Sequence, residues 1–247
     1  MTARSGLVGM LCLAVAVGGG LMSCGLPSLT FIDGPRSDSV EVDRSLSLTV
    51  FEHNAQANDI DAFKGYELYY KLFPYDAGND SAYESDVEYI TEDPPVTGTS
   101  RLTNRGYSRV HAQNDRARPL IAVAFENRGE NFEISVSFNK SDPGEEFEGS
   151  ATVTWNGNTL RLNRSATNNA GDSKPFFPIN TTVYDVGGDG GADDEIDADL
   201  SELENPAELV DDQSLAVGLF ALGYGQDGTT FEIIYREPAE LGGFKQQ

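Results

Sequence analysis

Phe132-Glu-Ile-Ser-Val-Ser-Phe138 alternates without a break, with Phe132, Ile134, Val136 and Phe138 on one face and Glu133, Ser135 and Ser137 on the other. A period of two with one apolar face is the pattern of an antiparallel strand solvated on one side. Upstream, Leu120 to Phe125 is a second extended run, and Asn127-Arg128-Gly129-Glu130 predicts a turn joining the two as a hairpin. Downstream, Ala151 to Trp155 and Asn158 to Leu162 flank Asn156-Gly157, whose two residues tolerate positive φ and so suit a tight hairpin turn. Trp155 shares its face with Ala151 and Val153 and reads as core. Leu215 to Tyr224 and Thr230 to Tyr235 predict a third hairpin across Gly225-Gln226-Asp227-Gly228. Ser45 to Phe51 alternates with Leu46, Leu48 and Val50 on one face. Tyr66, Leu68, Tyr70 and Leu72 do the same, with Glu67 and Lys71 opposite. Long 3.6-residue apolar periods are missing, so the expected class is all-β, an antiparallel β-sandwich.

Two stretches break the pattern. Asp76 to Gly98 is polar and contains Pro94-Pro95, so 76–117 reads as a polar loop region. Residues 185–212 hold twelve acids and no base and open on Gly187-Gly188-Asp189-Gly190-Gly191, which reads as an acidic, glycine-rich loop. Within it, Asp199 to Glu204 suits one or two helical turns capped by Asp199 and stopped by Pro206.

The 247 residues carry 17 Lys+Arg against 40 Asp+Glu, a formal charge of −23. A surface this negative repels phosphate backbones, which argues against nucleic-acid partners. Cys12 and Cys24 are the two cysteines, so a disulfide framework or a cysteine metal site is excluded from the rest of the chain.

Arg4 precedes the apolar stretch Leu7 to Met22, which is short for a permanent span and is weakened by Gly18, Gly19 and Gly20. This is the build of a secretory signal peptide. Its end, Leu21-Met22-Ser23-Cys24, resembles the lipobox of bacterial lipoproteins, in a looser form like those of spirochaetes. The resemblance implies cleavage between Ser23 and Cys24, with a diacylglycerol on the Cys24 sulfur and an acyl chain such as palmitate on the new amino terminus. Residues 1–23 are then the signal peptide and 24–27 a lipidated start and short tether. Two or three acyl chains anchor stably where one would not. The implied location is an exported protein anchored to a bacterial membrane, at the outer membrane or facing the periplasm or cell surface. Gly25 in place of Asp after the cysteine favours the outer membrane by the enterobacterial sorting habit.

Phe63-Lys-Gly-Tyr-Glu-Leu-Tyr-Tyr-Lys71 resembles the third strand of fibronectin type III domains. Ala216 to Tyr224, followed by Tyr235-Arg-Glu-Pro-Ala-Glu-Leu241, is similar to their last two strands. On that resemblance 28–75 and 213–247 build one immunoglobulin-like sandwich, and 118–184 forms an inserted β-hairpin domain. Two sandwiches in series, or one enlarged sandwich, fit the same strand pattern.

The G-x-S-x-G elbow of nucleophilic catalysis is missing, and so is the HExxH metal motif. His53 and His111 read as loop or surface histidines. Asp185, Asp189, Asp193 and Asp194, interleaved with glycines, have the oxygen-rich flavour of a calcium site but not the EF-hand spacing. Beyond that weak Ca2+ candidate and the covalent lipid, no cofactor is expected. Phe176 and Phe177 are adjacent, so on a strand one of them faces outward and could stack on a sugar ring or a peptide. The expectation is a non-enzymatic binding or structural protein of the envelope, held to the membrane through its lipid and engaging an unknown protein or glycan. The rival is a lipid-tethered carbohydrate-binding or hydrolytic protein.

Overall fold

The computed structural model describes residues 32–43, 48–75, 81–92, 98–112, 117–138, 151–164 and 214–245. Their strands are β1 (Glu41–Asp43), β2 (Leu48–Glu52), β3 (Phe63–Tyr75), β4 (Ser108–Arg109), β5 (His111–Ala112), β6 (Ile121–Ala122), β7 (Glu133–Ser137), β8 (Ala151–Trp155), β9 (Asn158–Asn163), β10 (Ser214–Gln226), β11 (Ile233–Tyr235) and β12 (Ala239–Lys245). Three short helices join them: α1 (Ala55–Asn58), α2 (Ser81–Thr91) and α3 (Ser100–Asn104). The fold is all-β, with two antiparallel sheets facing each other across one core.

The first sheet runs β1-β2-β7-β8-β9-β5. In the second, β3 and β10 form a long central pair; β11 and β12 flank β10, and β4 and β6 flank β3. The chain passes from one sheet to the other between β4 and β5, where Val110 is fully buried and its N–H donates to the Leu68 carbonyl. The segment Phe63–Tyr75 thus pairs with β10, which in turn pairs with β12. Of the described strands of 118–184, β6 stays with β3, whereas β7 pairs with β2 and β8 and β9 follow to extend the other sheet.

Alternation decides what the core contains. Tyr66, Leu68, Tyr70 and Leu72 of β3 and Val217, Leu219 and Ala221 of β10 face Ile134, Val136, Val153 and Trp155 of the opposing sheet in one cluster. The turn between β8 and β9 is the expected one, with Asn156 at φ 41° and Gly157 at φ 76°. The β10–β11 hairpin also forms, with Tyr224 opposite Tyr235.

Three expectations need correction. Leu120–Phe125 does not form a hairpin with β7: β6 pairs with β3 instead, Tyr66 opposite Ile121. The Phe125–Asn127 3-10 turn and the Arg128 guanidinium, which donates to the Ile60 and Asp61 carbonyls, carry the chain across to the other sheet. In β2 the fully buried residues are Thr49 and Phe51, while Leu48 and Val50 are half-buried beside Ser137 and Ser135; the large Phe51 ring takes the interior, edge-on to Tyr66.

The third concerns 76–117, read as a polar loop, where the structure places α2 and α3. Gly218 and Gly243 lie opposite each other on β10 and β12 and leave a trough in the outer face of the second sheet. The Tyr83 ring of α2 fills it, and a β-carbon at Gly218 would meet that ring at 2.8 Å. Val87 and Ile90 add the next turns of the same stripe, and the buried Asp86 takes a 2.8 Å ion pair from Lys71 of β3. Arg101 of α3 donates to the Glu92 carbonyl at 2.6 Å, and Arg105 lies over the Tyr89 ring. Among the described residues, no helix is long and apolar enough to cross a membrane.

Candidate functional site

On the outer face of the second sheet, Tyr69 of β3 and Phe220 and Leu222 of β10 pack in one buried cluster with Ile90 of α2 and Leu102 of α3. Beside that cluster the alternation of β3 brings Glu67 to the same face, opposite Leu222. Glu67 is fully buried beneath two arginines, Arg109 from β4 and Arg118 from the segment leading to β6. Arg118 Nε donates to Glu67 Oε1 at 3.2 Å, and Arg109 Nε sits against Oε2. Arg118 is about one-third exposed, and its guanidinium is 5.9 Å from the centres of both the Tyr224 and Tyr235 rings. The two rings meet edge to face at 5.6 Å, and Ile233, 48% exposed, continues the surface along β11.

Burial pushes the Glu67 carboxyl above its ordinary range, against the downward pull of Arg109 and Arg118. Burial likewise raises the Tyr69 and Tyr235 hydroxyls, so both stay protonated donors at neutral pH. Glu67 is the counter-ion that positions the two guanidiniums. Arg118 presents a planar cation framed by two rings, an arrangement suited to a carboxylate, an aromatic side chain or a hydroxyl-rich ring.

His53 lies elsewhere and is committed to the core. It is fully buried, stacked 4.7 Å from Phe132, and its Nε2–H donates to the Arg128 carbonyl at 2.8 Å. That fixes Nδ1 as the acceptor, taking the Tyr66 hydroxyl proton at 2.8 Å. The Tyr66 oxygen in turn accepts from the Asn54 N–H and the Asn58 amide, and Asn58 also holds both polar backbone groups of Asp33. This network stitches the N-terminal segment to the sandwich.

Burial holds the His53 pKa below its ordinary value, although the Arg128 carbonyl pulls it up. The unfolded chain therefore binds the proton first as the pH falls. The resulting stability is complete above about pH 6.5 and declines from there toward the lowered native pKa, by up to about 1.4 kcal/mol per pH unit. Urea unfolding at about pH 8 and about pH 5.5 should show this loss in the wild type and a smaller one in His53→Gln. Equal losses in the two proteins would refute the role.

His111 does not join His53: it sits half-buried on β5, at the opposite edge of the first sheet from β1. Trp155 is buried as expected, and its Nε1–H donates to the Ala122 carbonyl at 3.0 Å. Ser23, Cys24, Phe176, Phe177, Asp185, Asp189, Asp193 and Asp194 lie outside the described residues. Among the described residues, no three His, Cys, Asp or Glu side chains converge in a metal-holding group. The Glu67 constellation was not singled out from the sequence. Its one signal there is an acid at the centre of a tyrosine-rich strand, and nothing local says that Arg109 and Arg118 meet it. No family of known proteins, no curated protein and no solved structure matches this chain.

Proposed function

We propose that this chain is a lipid-anchored β-sandwich of a bacterial envelope or cell surface, acting by binding or as a structural element rather than by catalysis. The observation that carries the reading is the place of Cys24. It follows Leu21-Met22-Ser23, the chain after it contains no other cysteine, and Ile32, eight residues on, is already buried in the core. Removing residues 1–23 takes away only Arg4 among the charged groups, so the mature chain is more acidic still and stands off anionic surfaces. The surface around Arg118, with the half-buried Tyr235 and the exposed Ile233, is the one offered to a protein or glycan partner.

Metabolic palmitate labelling tests the anchor. Label should enter the wild-type protein, be lost in Cys24→Ala, and processing should stop when the lipoprotein signal peptidase is inhibited by globomycin. An unlabelled wild-type protein would refute it. The alternative, a tethered carbohydrate-binding or hydrolytic protein, draws on the half-buried Tyr235 ring beside Arg118. Screening glycan ligands and glycosidic and ester substrates separates the two readings.

A further inference from the structure

The N-terminal segment runs beside β10 in a definite direction. A β-carbon at Gly225 would meet the Ile32 side chain at 3.2 Å, one at Gly223 would overlap the Asp33 carbonyl, and one at Gly242, which pairs with Leu219, would meet Val42 at 2.9 Å. From Ile32 to Val42 the chain therefore travels from the Gly225 end of β10 toward its middle. It enters the sandwich at the Gly225 end.

That end is built from three loops tied by hydrogen bonds. Gln226 N–H donates to the Ala62 carbonyl, Val123 N–H to that of Lys64, and Arg128 to those of Ile60 and Asp61. From it project the two most exposed large apolar side chains among the described residues, Phe125 at 66% and Phe231 at 71%. Phe231 is also held at φ 60°, a conformation that bulky residues rarely adopt. Strain kept at an exposed aromatic residue points to use rather than to packing.

We infer that this end of the sandwich lies against the lipid surface, with Phe125 and Phe231 seated in the interfacial layer. The inference rests on the Cys24 anchor. Eight residues from Cys24 to Ile32 reach at most about 28 Å, well short of the roughly 43 Å length of thirteen-residue β10, so the tether holds this end near the bilayer and not the far one. Phenylalanine is suited to the boundary between headgroups and acyl chains. The exposed acids around the two rings, Asp59, Asp61, Glu126, Glu130 and Glu232, fit a zwitterionic surface and oppose an anionic one.

The acylated full mature chain provides the test, because with Cys24 consumed an introduced cysteine is its only thiol. Thr229→Cys, in the β10–β11 turn, and Ser85→Cys, exposed on α2 over the other half of the sheet, each receive an environment-sensitive fluorophore. The proteins are floated on phosphatidylcholine vesicles carrying a nitroxide high on the acyl chain. Quenching at position 229 should exceed that at 85 by about threefold or more and should fall toward it when Phe125→Ser and Phe231→Asn are added. Equal quenching at both positions on floating protein, or quenching at 229 indifferent to the two substitutions, would overturn the inference and leave the anchor standing. Protein that fails to float and carries a bare Cys24 would overturn the anchor, and this inference with it.

Discussion

Gly65→Ala is expected to destabilise the protein by at least about 3 kcal/mol, and in a marginally stable domain to leave little folded material. Gly65 has φ 148°, and a β-carbon there would overlap the Ile121 carbonyl oxygen and press on Pro119 Cγ at 2.9 Å. The obstacle is backbone, which cannot swing aside as a side chain can. The strand that would have to retreat is β6, whose Ile121 is fully buried and pairs with Tyr66. Relief therefore means separating β6 from β3 and opening the core beside Tyr66. Gly157→Ala is the control: its φ of 76° is also left-handed, but nothing lies within 4 Å of an added β-carbon. It should lose only about 1 kcal/mol, the conformational part. Urea midpoints of the two variants measure the difference, and similar losses would refute the backbone-contact account.

Glu67→Ala is the second large effect, a loss of about 3–5 kcal/mol. The substitution removes the carboxylate from beneath Arg109 and Arg118 and leaves the 14%-exposed Arg109 a charge without its counter-ion. The pair need not be net stabilising to behave in this way. Its burial is already expensive, as the raised Glu67 pKa records, so replacing both members should recover most of the loss. Glu67→Leu with Arg109→Met is the matching apolar pair, and a double-mutant cycle in urea reads the coupling. If Glu67→Ala alone lost less than about 1 kcal/mol, the site would be a surface ion pair of little consequence.

The local elements were legible wherever the signal is short-range. The alternation in 132–138 identifies β7 and its buried face, Asn156-Gly157 identifies the β8–β9 turn, and Glu67 and Lys71 do lie opposite the inward face of β3. Helix α2 was not legible, because its stripe of Tyr83, Val87 and Ile90 is thin among acids. What makes it a helix is the trough over Gly218 and Gly243, supplied by strands far along the chain. The same holds for β6, whose partner was set by the Arg128 contacts to Ile60 and Asp61 and not by the turn signal beside it. In β2 the alternation named two faces, but the choice between them followed from where Phe51 could meet Tyr66.

By itself, then, the amino-acid sequence determined the class of fold, the turns, the segregation of faces along β3 and β7, and the acidic balance of the surface. These depend on backbone sterics and on a period of two, both of which act over a few residues. Only the tertiary structure decided that Glu67 would sit under Arg109 and Arg118, that His53 would be spent on Tyr66 and Arg128, and that Ile32 would enter at the end bearing Phe125 and Phe231. Such meetings join residues distant along the chain, and their energy comes from burial and charge in a shared environment that exists only once the two sheets have closed.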